Sequence, residues 1–151
     1  MTLKIFERPA FTVVGMEIVT RPRSPDIPGL WPKFVARIDE IENLSEPRVS
    51  YGVMRHGGGD MEDLHYMAAV AVSNASHIPA GMESLTIPAG TYATFRYPLA
   101  GLARGFGEIF GKLLPSSGCI QAPGPYFERY DEAFDPGNPN SEVDIQIPVR
   151  R

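Results

Sequence analysis

The 151 residues carry 14 Lys plus Arg against 18 Asp plus Glu, a formal net charge of −4 and a sequence pI near 5.3. That length fits one domain with a real core, and the acidic balance with no basic run argues against binding nucleic acid by phosphate neutralisation. Met1 to Arg8 lacks an apolar leader region, and no apolar stretch approaches the roughly 20 residues that span a bilayer, so the expectation is a cytoplasmic protein with no membrane partner.

Phe11 to Thr20 is rich in Val, Ile and Thr and predicts a strand, broken by Pro22, Pro25 and Pro28. Ile27, Leu30, Trp31, Phe34, Val35, Ile38 and Ile41 then keep helical spacing, with Lys33, Arg37, Asp39, Glu40 and Glu42 on the other side. Arg48 to Arg55 and Leu64 to Ser73 read as the strands of a hairpin around Gly57, Gly58, Gly59 and Asp60.

The second half repeats that order. Thr91 to Tyr97 predicts a strand, Leu99 to Leu114 a helix with Leu99, Leu102, Phe106, Ile109, Phe110 and Leu113 on its apolar face, and Tyr126 to Asp131 with Val143 to Val149 a closing hairpin. Gly101, Gly105, Gly107 and Gly111 each cost this helix about 1 kcal/mol relative to Ala, which points to close packing against a neighbour or a ligand. The duplicated order predicts a pseudo-twofold α+β domain over residues 1–151. Its modules, at about 10–73 and 90–149, share an antiparallel sheet, carry two helices on one face, and leave a cleft at their junction.

Within the last hairpin, alternation puts Tyr126, Glu128 and Tyr130 on one face and Phe127 and Arg129 on the other. A carboxylate between aromatic rings suits an apolar organic cation. The alternative is a solvated strand whose outer face mixes Tyr and Glu.

Other chemistry finds little support. Cys119 has no partner for a disulfide or a CxxC motif and reads as a small loop or core residue; His56, His65 and His77 lack metal-ligand spacing and lie in no haem motif. The glycines of the second helix do not form a phosphate loop, because Lys112 is followed by Leu113, and Ser116 and Ser117 have no His and acid nearby. No cofactor and no metal is expected.

The segments IPGLWPKF, IPAGTYATFRYPLAGL, LLPSSG, PYFERYDEAFDP and VDIQIPV, in that order from Phe11 to Val149, resemble the GyrI-like, or AraC effector-binding, small-molecule-binding domains. The resemblance implies two strand-helix-hairpin modules with a ligand pocket where they meet. It also implies that Glu128, the acid of the FERY strand, sits in that pocket among aromatic rings. Trp31 stands where the family's pocket wall carries an aromatic, although it would serve equally as a core residue; Tyr66 and Tyr92 join it as wall candidates beside Tyr126 and Tyr130, while Tyr51 and Phe95 are left to the core. Ala68, Ala69 and Ala71, in MAAVAV, depart from relatives with a polar or acidic residue there and imply a wider, more apolar wall. Many relatives are fused to a helix-turn-helix domain, whereas the two modules use up this chain, so direct DNA binding is not expected.

Three functions follow from the resemblance. The chain captures a hydrophobic, cationic small molecule; or it hydrolyses cyclopropane-type electrophiles with Glu128 as general acid or base; or it binds a protein partner as a gyrase inhibitor does. The first two need the same acid in the same aromatic cleft.

Overall fold

The computed structural model describes residues 3–21, 24–56 and 63–150. Among these, β1 (Lys4–Arg8), β2 (Phe11–Thr20), α1 (Asp26–Val35), β3 (Ser50–His56) and β4 (Leu64–Val72) form the first part of the chain. After them come β5 (Glu83–Ile87), β6 (Gly90–Pro98), α2 (Leu102–Glu108), a π-helical turn (Ile109–Leu113), α3 (Leu114–Ser116), β7 (Ile120–Gln121), β8 (Tyr126–Tyr130) and β9 (Glu142–Arg150). The predicted glycine turn between β3 and β4 lies outside the described residues.

All strand pairs are antiparallel, in the order β1-β6-β9-β8-β3-β4-β2-β5, with β7 added to the end of β9. The fold is therefore α+β, as the element order predicts, and the strand order is symmetric about the β8–β3 pair. β1 and β5, which lead into β2 and β6, each pair with the other half: β1 with β6 and β5 with β2. Only Pro88 and Ala89 separate β5 from β6, although the two lie near opposite ends of the path, so the sheet must curl over on itself.

That curl gives the sheet two buried faces. Val14, Tyr66, Ala68, Val70, Tyr126, Ile145 and Ile147 pack beneath Leu30 and Phe34 of α1 and Ile109 and Leu114 of the second helical arm. Val13, Tyr51, Val53, Met67, Ala69, Ile87, Tyr92 and Phe127 form a second cluster on the helix-free face, closed by Phe11 and Leu85. A strand buried on both sides needs no polar alternation, which explains why MAAVAV in β4 is apolar throughout. The period of two also corrects the expected wall: Ala68 faces the helices, whereas Ala69 and Ala71 face the other cluster.

Both helices depart from the predicted bounds. Helical spacing runs to Ile41, yet α1 stops at Val35, because Arg37 leaves the helical region at φ −118° and ψ 4° and its guanidinium turns to Glu40 and to the Ala80 carbonyl. A 3₁₀ turn at Ile38–Glu40 still delivers Ile41 to the core. In the second arm the π turn separates Ile109 from Leu114 by five residues and buries both. β1, β5 and β7 escape prediction because they are short and partly exposed, with no alternation to read.

A Cβ at Gly101 would meet Pro98 at an ordinary 3.4 Å, and the close packing expected of the second-arm glycines is found at Gly105. A Cβ there would stand 2.7 Å from the Tyr97 ring, whose hydroxyl donates to Glu108 at 3.1 Å, while Gly107 and Gly111 face open space. Gly107→Ala should therefore raise stability by about 0.5–1 kcal/mol. Gly105→Ala should lower it by about 1–3 kcal/mol through overpacking. Thermal melts of the two variants check the opposite signs.

Candidate functional site

Glu128 lies at the centre of the sheet, on β8, the strand that joins the two halves. Its register partners are Gly52 on β3 and Ile145 on β9, and Gly52 in turn pairs with Ala68 on β4. Residues two apart share a face, so Tyr66, two positions before Ala68, projects on the same side of the sheet as Glu128. Between them stands the hydrogen of Gly52 where any other residue would place a carbon. A Cβ on Gly52 would collide with the Tyr66 hydroxyl and with Glu128 Oε1.

Across that space the Tyr66 hydroxyl donates to Glu128 Oε1 at 2.7 Å, and the Tyr130 hydroxyl donates to the same oxygen at 2.7 Å. Trp31 Nε1 donates to the Tyr66 oxygen at 3.1 Å, which makes a relay from indole to phenol to carboxylate. The Trp31 ring also meets Tyr130 edge-on, with centroids 5.4 Å apart, and Phe134 meets Tyr130 edge-on at 4.7 Å. Glu128 is left only 6% exposed. No hydrogen bond to its Oε2 is found among the described residues.

Burial is the largest influence on the Glu128 carboxyl and pushes its pKa up; the two phenols, by bonding the ionised form, hold part of that rise back. Tyr66 and Tyr130 are driven well above the ordinary phenol value, by desolvation first and then by the Glu128 charge. Both phenols thus remain donors at neutral pH. The two hydrogen bonds to an ionised acceptor are worth about 1.5–3 kcal/mol each, which offsets part of the desolvation of a charge held under aromatic rings.

The geometry brings together Glu128, Trp31, Tyr66 and Tyr130. Tyr126 shares their face and is buried, but its hydroxyl pairs with His56 Nε2 at 2.8 Å and its ring with Phe106 and Phe110; desolvation, then the Glu128 charge, raises its pKa to about 12. Tyr92 lies on the opposite face, where its ring packs on Phe127 and its hydroxyl donates to the Pro88 carbonyl. It is separated from Glu128 by the sheet itself, because β6 presents Ala93 and Phe95 to the helices. Tyr51 and Phe95 are core residues, as expected, although the Tyr51 hydroxyl also donates to Glu46 at 2.7 Å.

Sequence reading missed two residues at this site. Phe134 lies in the turn after β8, where no periodicity assigns a direction. Gly52 is a lone glycine inside a strand pattern, a known mark of close approach that identifies neither partner. Surface concavities of about 400 and about 300 Å³ are lined by other residues and do not include Glu128. Among the described residues no group of three His, Cys, Asp or Glu could hold a metal ion, and no helix is long and apolar enough to cross a membrane.

The chain is 37% identical over 152 residues to the transcriptional regulator BrlR of Pseudomonas aeruginosa, covering 99% of this chain and 56% of BrlR. It thus spans little more than half the length of that relative. The solved structure of SAV2435 bound to tetraphenylphosphonium matches with a TM-score of 0.79 at 19% identity, covering 99% of this chain and 94% of that one. The EcmrR C-terminal domain matches with a TM-score of 0.75 at 15% identity, covering 99% and 98%. The GyrI-like small molecule binding domain profile matches residues 1–150, and the chain belongs to that family.

Proposed function

We propose that this small-molecule-binding domain, built of modules at about 10–73 and 90–149, captures hydrophobic organic cations with Glu128 as counter-ion and Trp31, Tyr66, Tyr130 and Phe134 as the aromatic surround. The observation that carries the proposal is the buried carboxylate: one oxygen is pinned by two phenols, the other has no partner among the described residues, and rings stand on several sides. A cation entering there would gain from the carboxylate and from the ring faces together. The tetraphenylphosphonium bound to SAV2435, a protein of the same fold, supports the choice of ligand class. Calorimetric titration with tetraphenylphosphonium and with neutral triphenylphosphine oxide tests it. Saturable binding of the cation, at least about tenfold tighter than the neutral compound, is expected; equal affinities would refute a charge-selective site.

A second reading, hydrolysis of strained electrophilic rings, draws on the same closure. Glu128 is shielded from solvent, burial raises its pKa, and Oε2 has no partner among the described residues. Mass spectrometry of a cyclopropane-bearing electrophile incubated with the protein decides it. Ring-opened product lost in Glu128→Gln would establish catalysis, and no product above background would leave capture as the function.

A further inference from the structure

A second feature of the same sheet has the opposite electrostatic character. At the end where β3 finishes, β8 begins and β7 runs beside the last residues of β9, an open concavity of about 400 Å³ is lined by Arg55, His56, Gln121, Gly124, Tyr126 and Arg150, among others. None of its described lining residues is acidic, although the chain as a whole carries −4.

The donors there are partly prepared. Arg55 gives Nε and Nη2 to the Glu17 carboxylate at 2.9–3.2 Å, which fixes the guanidinium plane and leaves Nη1 without a partner among the described residues. Arg150 makes no ion pair with a described residue. Beside these cations stands an aromatic wall. The His56 and Tyr126 rings stack at 5.8 Å with 25° between their planes, joined by the hydrogen bond between Nε2 and the phenol hydroxyl, and Phe110 meets Tyr126 edge-on at 5.6 Å while remaining 37% exposed.

We propose that this concavity is a second binding site, for a small planar aromatic oxyanion. Guanidinium groups match the geometry of carboxylate, sulfonate and phosphate oxygens, and a flat ring beside the His56–Tyr126 wall would bury apolar surface that the anion alone does not have. Glu17 balances Arg55, so Arg150 supplies the excess positive charge here, and with no carboxylate among the described lining residues the two sites would sort ligands by sign of charge. Tyr126 stands between them, two residues from Glu128 on the same strand.

The test uses anilinonaphthalene sulfonate as a fluorescent anion and phenyl naphthylamine as its neutral counterpart. The expected result is saturable binding of the anion that Arg150→Gln weakens by roughly tenfold or more, with Arg150→Lys restoring part of it and the neutral compound unaffected. Saturating tetraphenylphosphonium should leave the anion's affinity within about twofold, since the sites differ. Displacement by naphthoate alone would assign a carboxylate ligand, by naphthyl phosphate alone a phosphate ligand, and by both a general oxyanion site. Displacement by neither, an unchanged affinity in Arg150→Gln, or equal losses for the anion and its neutral counterpart would overturn the proposal. Arg150 is exposed at the end of β9, so the variant is expected to fold, and an unchanged melting temperature confirms it.

Discussion

Glu128→Gln should weaken binding of tetraphenylphosphonium by on the order of 2 kcal/mol while leaving a neutral ligand of similar shape nearly unaffected. The amide oxygen can still accept from Tyr66 and Tyr130, so the pocket keeps its shape and only the charge is lost. The same substitution should stabilise the ligand-free protein at neutral pH. Because burial raises the folded-state pKa of Glu128, the folded protein holds this proton more tightly than the unfolded chain does. The stability linked to this group is thus fully present below the ordinary carboxylate pKa and is lost as pH rises through the raised folded value. Cation affinity runs the other way, weakening as pH falls through that value and the carboxylate is neutralised. Calorimetry and thermal melts across pH check both signs. A variant that binds the cation as the parent does, or one that melts lower at neutral pH with the parent's pH dependence intact, would show that Glu128 is not the charged centre of the site.

This opposition of stability and binding follows from the proposed role of Glu128 as counter-ion to a bound cation. The fold holds a carboxylate in surroundings that disfavour its charge, and the two phenols recover only part of the loss. In the proposed function a bound cation would supply the remainder, which would link binding to the ionisation of Glu128.

How much of this was legible in the sequence follows from which signals are local. Alternation in FERY fixes the faces of Tyr126, Glu128 and Tyr130 because that rule needs only the strand itself, and β2, β3, β4, β6, β8 and β9 lie within a few residues of their predicted bounds. The facing of Tyr92 depends on the curl of the whole sheet: Thr94 and the exposed Arg96 share its face, yet the curl buries β6 on both faces and leaves Tyr92 only 2% exposed. The grouping of Ala68 with Ala69 and Ala71 failed for the same reason. Phe134 and the bond between Tyr126 and His56 come from a turn and from cross-strand register, neither of which a single strand's pattern encodes. Gly52 is the clearest instance: a lone glycine in a strand marks a close approach without identifying its partners, whereas the register makes it the gap through which Tyr66 reaches Glu128.

Gly52→Ala is accordingly expected to be among the most damaging small substitutions in the protein. The added methyl would fall on the Tyr66 hydroxyl and on Glu128 Oε1, with the Tyr66 ring carbon behind them at 2.9 Å. A long side chain can often swing aside, but Tyr66 is 1% exposed and is tied at its oxygen to both Trp31 and Glu128, so relief requires breaking that relay. Overpacking of this kind costs about 1–3 kcal/mol. Loss of the Tyr66–Glu128 bond adds a further cost, since the carboxylate would be left with Tyr130 alone. Thermal melts should show the destabilisation, and tetraphenylphosphonium affinity should fall by roughly tenfold or more as Glu128 is displaced. Tyr66→Phe removes the oxygen that the methyl would strike first. In that background Gly52→Ala should cost measurably less than in the parent, a coupling that a double-mutant cycle reads directly. Strict additivity of the two substitutions, or a Gly52→Ala variant that melts and binds as the parent does, would mean that Tyr66 and Glu128 do not meet across this glycine.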